Sequence, residues 1–134
     1  MPDLEVRRLG RTEMKPKALG LGCGHLGDPK RPDEEAVTTI HEARERGINF
    51  VDTSPYYGRG MSEILLGHAL RDIRRDDYLI GTKLGRYDID HFDFSARRVV
   101  ESVDATRIVI KTDQLEGEND IGGDVDIYNL SKFI

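Results

Sequence analysis

Three ionisable side chains stand where short apolar segments end, and together they could move a proton. Asp52 ends the segment 48–52, Tyr57 follows it across a proline turn, and Lys83 ends the segment 78–83. An ammonium beside a phenol favours the phenolate, and a carboxylate keeps a neighbouring lysine charged and oriented. If the three groups meet, this pattern predicts a site that gives a proton to an oxygen or removes one.

The segments before these side chains are typical of β-strands that alternate with helices. Strand-like segments cover residues 18–24, 48–52 and 78–83, and a pattern with helical spacing follows each of them. The first helical pattern begins after Pro32 and ends at Gly47. This alternation predicts parallel strands joined by right-handed crossovers. Their carboxyl ends meet at one edge, where the active sites of α/β folds collect.

Other segments lie outside these three units. Residues 6–17 alternate loosely around a glycine-containing turn and predict a leading β-hairpin. Residues 106–111 predict a fourth strand. From Asp104 onward the chain carries seven acidic residues against three basic ones. We therefore expect a solvated acidic loop over residues 112–126 and a short helix or strand over 127–134.

Length, charge and cysteine content limit the class of protein. A chain of 134 residues is long enough for one domain with a core. A net charge of -5 gives no basic surface for nucleic acid or an anionic membrane, and no apolar run is long enough to span a bilayer. The single cysteine excludes an intrachain disulfide and a cysteine-rich zinc site, and we predict no metal site. The N-terminus lacks the apolar core of a secretory signal, so we expect a cytoplasmic protein.

Several motifs, in order along the chain, resemble the aldo-keto reductase family. They are Gly-Leu-Gly-Cys-Gly-His-Leu-Gly from residue 20, Glu-Arg-Gly-Ile-Asn-Phe-Val-Asp-Thr-Ser-Pro-Tyr-Tyr-Gly from residue 45, Ser-Glu-Ile-Leu-Leu-Gly-His-Ala-Leu from residue 62 and Gly-Thr-Lys-Leu-Gly-Arg-Tyr from residue 81. A later Phe-Asp-Phe-Ser-Ala-Arg-Arg-Val, from residue 92, is most similar to the sugar-dehydrogenase branch of that family, nearest to the L-galactose dehydrogenases.

The resemblance implies a TIM barrel whose N-terminal mouth is plugged by the hairpin, with NAD(P) lying across the C-terminal mouth. It also implies a catalytic tetrad in which Asp52, Tyr57 and Lys83 match three members. The fourth member is a histidine at the tip of the fourth strand. It has no counterpart here, because no histidine follows His91.

The resemblance also implies where the cofactor binds. Gly22, Cys23 and Gly24 would lie under the nicotinamide, and Asp52 would border the same site. The expected substrate is a small carbonyl compound or a sugar.

Length leaves two interpretations of this resemblance. A complete (β/α)8 barrel takes about 250 residues, whereas this chain holds three to four βα units. We therefore expect a partial (β/α)8 TIM barrel in residues 1–107 and a divergent acidic tail in residues 108–134, as in a truncated or frameshifted product. In the first interpretation the chain is an NAD(P)-dependent oxidoreductase that interconverts a carbonyl and an alcohol. In the second it is a catalytically inactive half-barrel that acts as an interaction module, for example as a homodimer.

Overall fold

The computed structural model describes residues 3–110, which are organised around a three-stranded parallel sheet in the order β1-β2-β3. The register places Gly22 beside Asp52 and Asp52 beside Gly81, so the three strands end level with one another. The parallel arrangement predicted from the sequence is confirmed. The strands are β1 (Leu21–Gly22), β2 (Phe50–Asp52) and β3 (Leu79–Gly81).

A helix follows each strand. The first carries three acidic residues in its first turn, where they complement the positive end of the helix dipole. It ends just before Gly47, whose φ of 86° is a left-handed conformation that glycine adopts without strain. The helices are α1 (Asp33–Glu45), α2 (Met61–Ala69) and α3 (Ala96–Ile110), and short 3-10 helices cover Tyr57–Gly60 and Arg75–Asp77.

The fourth strand predicted over residues 106–111 is wrong, because α3 continues through Ile110. The run of β-branched residues favours a strand locally, but tertiary contacts decide its conformation. Ser102 and Thr106 are four positions apart on one face of the helix and both are buried. The Thr106 hydroxyl donates a hydrogen bond to Glu63 of α2 at 3.3 Å, which fixes this turn of α3 against α2.

Further predictions for the C-terminal part of the chain stay predictions. Those for residues 112–126 and 127–134 lie outside the described residues. The boundary predicted between residues 107 and 108 falls inside α3 and does not coincide with the end of a described element. Within residues 3–110, no helix has the length and apolar character needed to cross a membrane.

The leading hairpin is present as a short antiparallel pair. Val6 bridges Lys17, and Gly10 provides the turn with a φ of 56°. Asn49, just before β2, attaches the hairpin to the sheet. Its Oδ1 accepts a hydrogen bond from the Lys17 N–H at 2.7 Å, and its Nδ2 donates one to the Lys15 carbonyl at 3.1 Å.

The hydrophobic core lies between one face of the sheet and helices α1 and α2. Val51 of β2 faces this core together with the buried side chains of Ile40 and Leu66. Because side chains alternate along a strand, Phe50 and Asp52 face the opposite side of the sheet. Asp52 therefore stands at the end of β2 on the face that the helices leave open.

Candidate active site

The ends of β2 and β3 bring Asp52, Tyr57 and Lys83 together. The Lys83 Nζ donates hydrogen bonds to Asp52 Oδ2 at 2.7 Å and to the Thr53 carbonyl at 3.0 Å. The same nitrogen lies 4.9 Å from the centroid of the Tyr57 ring. The residues that the sequence singled out as a catalytic set thus form one cluster, and their catalytic role stays a proposal.

The cluster keeps Lys83 charged. Partial burial lowers the pKa of Lys83, but hydrogen bonds with Asp52 and Tyr57, together with the charge of Asp52, outweigh it and raise the pKa above 10.5. The Lys83 and Asp52 side chains are 46% and 44% exposed, so solvent weakens their ion pair. A cation that persists at neutral pH next to a phenol stabilises the negative charge formed when the phenol loses its proton.

A strained turn holds Tyr57 in place. Gly58 and Arg59, which follow it, both have positive φ angles, 56° and 53°. Arg59 is the non-glycine residue in this left-handed region, a conformation that costs on the order of 1 kcal/mol and is found often at functional sites. A Cβ on Gly58 would lie 2.9 Å from the carbonyl oxygens of Leu26 and Gly27. This close approach fixes the turn against the loop that follows β1.

The three residues predicted to lie under the nicotinamide differ in exposure. Gly22 and Gly24 are exposed; a Cβ on Gly22 would meet no atom within 4 Å, and one on Gly24 would lie 3.9 Å from Tyr57 Cζ. The Cys23 side chain is fully buried in the core. Its backbone lies at the edge where β1, β2 and β3 end, here called the rim, which carries Asp52, Tyr57 and Lys83. There the Cys23 N–H donates to the Asp52 carbonyl at 2.8 Å. Burial, followed by the charge of Asp52, raises the pKa of Cys23 to about 11, so this thiol is unreactive.

The sequence did not predict a layer of buried polar residues behind the rim, which consists of Thr53, Ser62 and Glu63. Ser62 and Glu63, in the first turn of α2, are buried. Burial raises the pKa of Glu63, and hydrogen bonds from Thr82 and Thr106 offset this only in part. The available signal was a serine and a glutamate at the start of an apolar helical stripe, where a solvated pair is the ordinary expectation.

The loop after β3 packs on the loop after β2, which the sequence also did not predict. The Arg86 guanidinium lies 4.1 Å from the ring centroid of Tyr56 and 5.4 Å from that of Phe92. Arg59 and Asp88 form an exposed ion pair at 3.8 Å between the same two loops. These contacts join the loop that carries Tyr57 to the loop that follows Lys83.

His25 lies in the loop after β1, and His91 lies in the loop after β3. His25 is exposed and lines a cavity of about 140 Å³ beside Gly22, and the His91 ring lies 5.7 Å from the Tyr87 ring. In the part of the chain from residue 3 to 110, no three His, Cys, Asp or Glu side chains are grouped as metal ligands.

Comparison with known proteins places these features in a family. Residues 18–116 match the model of the aldo/keto reductase family. An L-galactose dehydrogenase from Arabidopsis thaliana is 43% identical over 120 residues, which cover 87% of this chain and 37% of the relative. The uncharacterized oxidoreductase YqkF of Bacillus subtilis (strain 168) is 34% identical over 118 residues, 84% of this chain and 37% of the relative. A D-threo-aldose 1-dehydrogenase from Pseudomonas sp is 41% identical over 71 residues, 52% of this chain and 22% of the relative.

Solved structures agree with this match. A putative aldo-keto reductase from Pseudomonas aeruginosa superposes with a TM-score of 0.72 and 39% identity, over 81% of this chain and 43% of the other. The aldo-keto reductase AKR11C1 from Bacillus halodurans gives 0.72 and 30% identity, over 82% and 37%. The chain thus spans less than half the length of these relatives. Its predicted α/β fold, a partial (β/α)8 barrel, is confirmed by the superpositions.

Proposed function

The chain belongs to the aldo/keto reductase family, and we propose that it is an NAD(P)-dependent oxidoreductase that interconverts a carbonyl and an alcohol on a sugar or a small aldehyde. The observation that carries this proposal is the contact of Lys83 with both Asp52 and Tyr57. It puts a phenol and a lasting positive charge at the end of the sheet where substrates bind in such folds.

Each side chain of the cluster has a distinct role in the proposed reaction. In reduction, the Tyr57 hydroxyl donates its proton to the carbonyl oxygen of the substrate, and in oxidation the phenolate takes it back. Lys83 stabilises the phenolate, and Asp52 orients Lys83. Proton transfer by a positioned side chain is worth about 10²–10⁴-fold in rate.

The residues present fit the nicotinamide cofactor. NAD(P), when bound, supplies the hydride for reduction or accepts it in oxidation. Gly22 and Gly24 expose bare backbone, and the Cβ position of Gly24 lies 3.9 Å from Tyr57 Cζ, so a larger side chain at residue 24 would fill the space beside Tyr57. Because the Cys23 side chain is turned into the core, residues 22–24 would present backbone rather than side chains to a bound nicotinamide ring.

The proposed substrate class is supported by the names of two relatives. One is an L-galactose dehydrogenase and another a D-threo-aldose 1-dehydrogenase. We propose a small carbonyl or sugar as the substrate and a cytoplasmic location. We also propose no nucleic acid or membrane partner, because a net charge of -5 gives no basic surface for either.

Cofactor binding tests the proposal first. NADPH and NADH are titrated separately into the purified chain while nicotinamide fluorescence is followed, and oxidation of the bound cofactor by sugars and small aldehydes is then measured. Gly24→Leu should weaken binding, because its side chain extends toward Tyr57, whereas Ala18→Leu, exposed near the hairpin, should not. No saturable response up to millimolar cofactor would discard the oxidoreductase.

Association of two chains into a catalytically inactive module is a second proposal. Within residues 3–110, β1 and β3 each have one neighbouring strand, so each has an outer edge with backbone groups free to pair. Light scattering over a range of concentrations measures the mass. A dimer that does not bind NAD(P)H would support this proposal, and a monomer that binds it would reject it.

A further inference from the structure

The first turn of α2 is hydrogen-bonded to the residue that follows each of the three strands. Ser62 Oγ donates to the Cys23 carbonyl after β1 at 2.9 Å and lies 2.9 Å from Thr53 Oγ1 after β2. Next to it, Glu63 Oε1 accepts a hydrogen bond from Thr82 Oγ1 after β3 at 2.6 Å. Two consecutive residues of one helix therefore attach all three strand ends.

Two of these attached residues are neighbours of the proposed catalytic groups. Thr53 follows Asp52, and Thr82 precedes Lys83. The Thr53 N–H donates to the Gly81 carbonyl at 2.8 Å, the bond that closes the sheet on this side. One residue further along the chain, Thr82 donates its hydrogen bond to Glu63, so the chain is attached to α2 at the residue just before Lys83.

Burial makes these contacts more restrictive than those of the rim. Thr53 and Ser62 are 0% exposed and Glu63 is 6% exposed, so water cannot easily replace a partner that one of these three residues loses, whereas Thr82 is itself exposed. The ion pair between Lys83 and Asp52 is about half exposed and can adopt several geometries at little cost. The hydrogen bond from the exposed Thr82 to the buried Glu63 attaches the residue before Lys83 to α2.

We propose that Ser62 and Glu63 are positioning residues for the oxidoreductase site. Glu63 acts through Thr82 and sets the distance of Lys83 from Asp52 and Tyr57. Ser62 acts through Thr53 and the Cys23 carbonyl, and it aligns the ends of β2 and β1 with the end of β3. The consequence for turnover rests on the proposed function, whereas the placement of Lys83 can be measured without turnover.

The test compares two hydroxyls that donate to the same carboxyl group. Thr82→Val removes the donor next to Lys83, and Thr106→Val removes the donor on α3, each with little change in volume. The pKa of the Lys83 ammonium is measured by NMR titration. It should fall toward 10.5 in Thr82→Val, because Lys83 leaves Asp52 and Tyr57, and stay at the wild-type value in Thr106→Val and in Thr82→Ser. Equal values in Thr82→Val and Thr106→Val would overturn the proposal.

A second pair of variants covers the case in which Thr82→Val does not fold. Glu63→Gln keeps an oxygen acceptor for Thr82, and Glu63→Met removes it at similar size. The Lys83 pKa should be retained in the first and lowered in the second. The opposite order, or no difference, would overturn the proposal.

Turnover separates this proposal from the proposed function. If the wild type reduces aldehydes, Thr82→Val should lower kcat by about 10-fold or more while the KM for the cofactor is unchanged, because a small displacement of a catalytic group is costly. If no variant turns over but the Lys83 pKa shifts as described, the oxidoreductase proposal fails and the positioning role stands. An unchanged kcat in Thr82→Val would reject the positioning role alone.

Discussion

The rim of the sheet and the layer behind it use polar groups in different ways. At the rim, Asp52 and Lys83 are about half exposed and their ion pair is shared with water. Behind it, Thr53, Ser62 and Glu63 are buried and bonded within the protein. Solvated ion pairs contribute about 0.2–1 kcal/mol to stability, whereas leaving a buried polar group unpaired costs about 1–3 kcal/mol. The comparison assigns reactivity to the rim and rigidity to the layer behind it.

The largest loss of stability is expected in the core that supports both regions. Leu66 of α2 is fully buried, so Leu66→Ala should reduce the free energy of unfolding by about 2–5 kcal/mol. Leu19 is 54% exposed, and Leu19→Ala should change it by less than about 0.5 kcal/mol. Urea denaturation measures both. Similar losses in the two variants would show that α2 is not packed against the sheet as described.

Removal of a buried hydroxyl should have the next largest effect. Ser62→Ala leaves the Cys23 carbonyl and the Thr53 hydroxyl without this partner, so we expect a loss of about 1–3 kcal/mol in the free energy of unfolding. Thr39→Ala is the control, because its hydroxyl is exposed and donates a hydrogen bond to the Glu35 carbonyl of its own helix at 2.7 Å. Equal losses in urea denaturation would remove the distinction between buried and exposed hydroxyls.

The pH dependence of stability should report on Glu63. Because burial raises the pKa of Glu63 above 4.5, folding favours its protonated form. The stabilisation is complete below pH 4.5 and is lost as pH rises through the higher pKa of the folded state. Glu63→Gln cannot ionise and should not show this loss, whereas the exposed Glu34→Gln should follow the wild type. Parallel curves of unfolding free energy against pH for the wild type and Glu63→Gln would contradict the burial of this carboxyl group.

The smallest effect on stability is expected at the rim itself. Lys83→Met should change the free energy of unfolding by less than about 1 kcal/mol, since solvent screens its ion pair with Asp52. Urea denaturation of the wild type and of Lys83→Met is measured at low and at high salt. The difference in unfolding free energy between the two proteins should be smaller at high salt, because salt screens the ion pair in the wild type. A loss as large as that in Ser62→Ala would mean that the rim also holds the fold together.

The cluster at the rim could be predicted from the sequence because local spacing determines it. Asp52 and Lys83 end strand-like segments, and parallel strands with level ends bring such residues to one edge. Tyr57 follows after a proline turn of fixed length. No long-range side-chain pairing had to be known for this prediction.

The buried layer and the path of the C-terminal residues could not be predicted in this way. The hydrogen bonds of Glu63 join residues 19 and 43 positions away, and no local pattern encodes them. The pairing with Thr106 attaches the first of residues 106–110 to α2, and these residues continue α3 despite a β-branched composition. In both places a tertiary contact, rather than local preference, decides the structure.

The central claim is that Tyr57 transfers a proton at a site that contributes little to stability. Reduction of an aldehyde by NADPH is therefore compared in the wild type and in Tyr57→Phe, with cofactor binding and unfolding free energy measured on the same samples. We predict turnover lower by about 10²–10⁴-fold in Tyr57→Phe, with binding and stability close to the wild type. Equal turnover in the two proteins would contradict the claim.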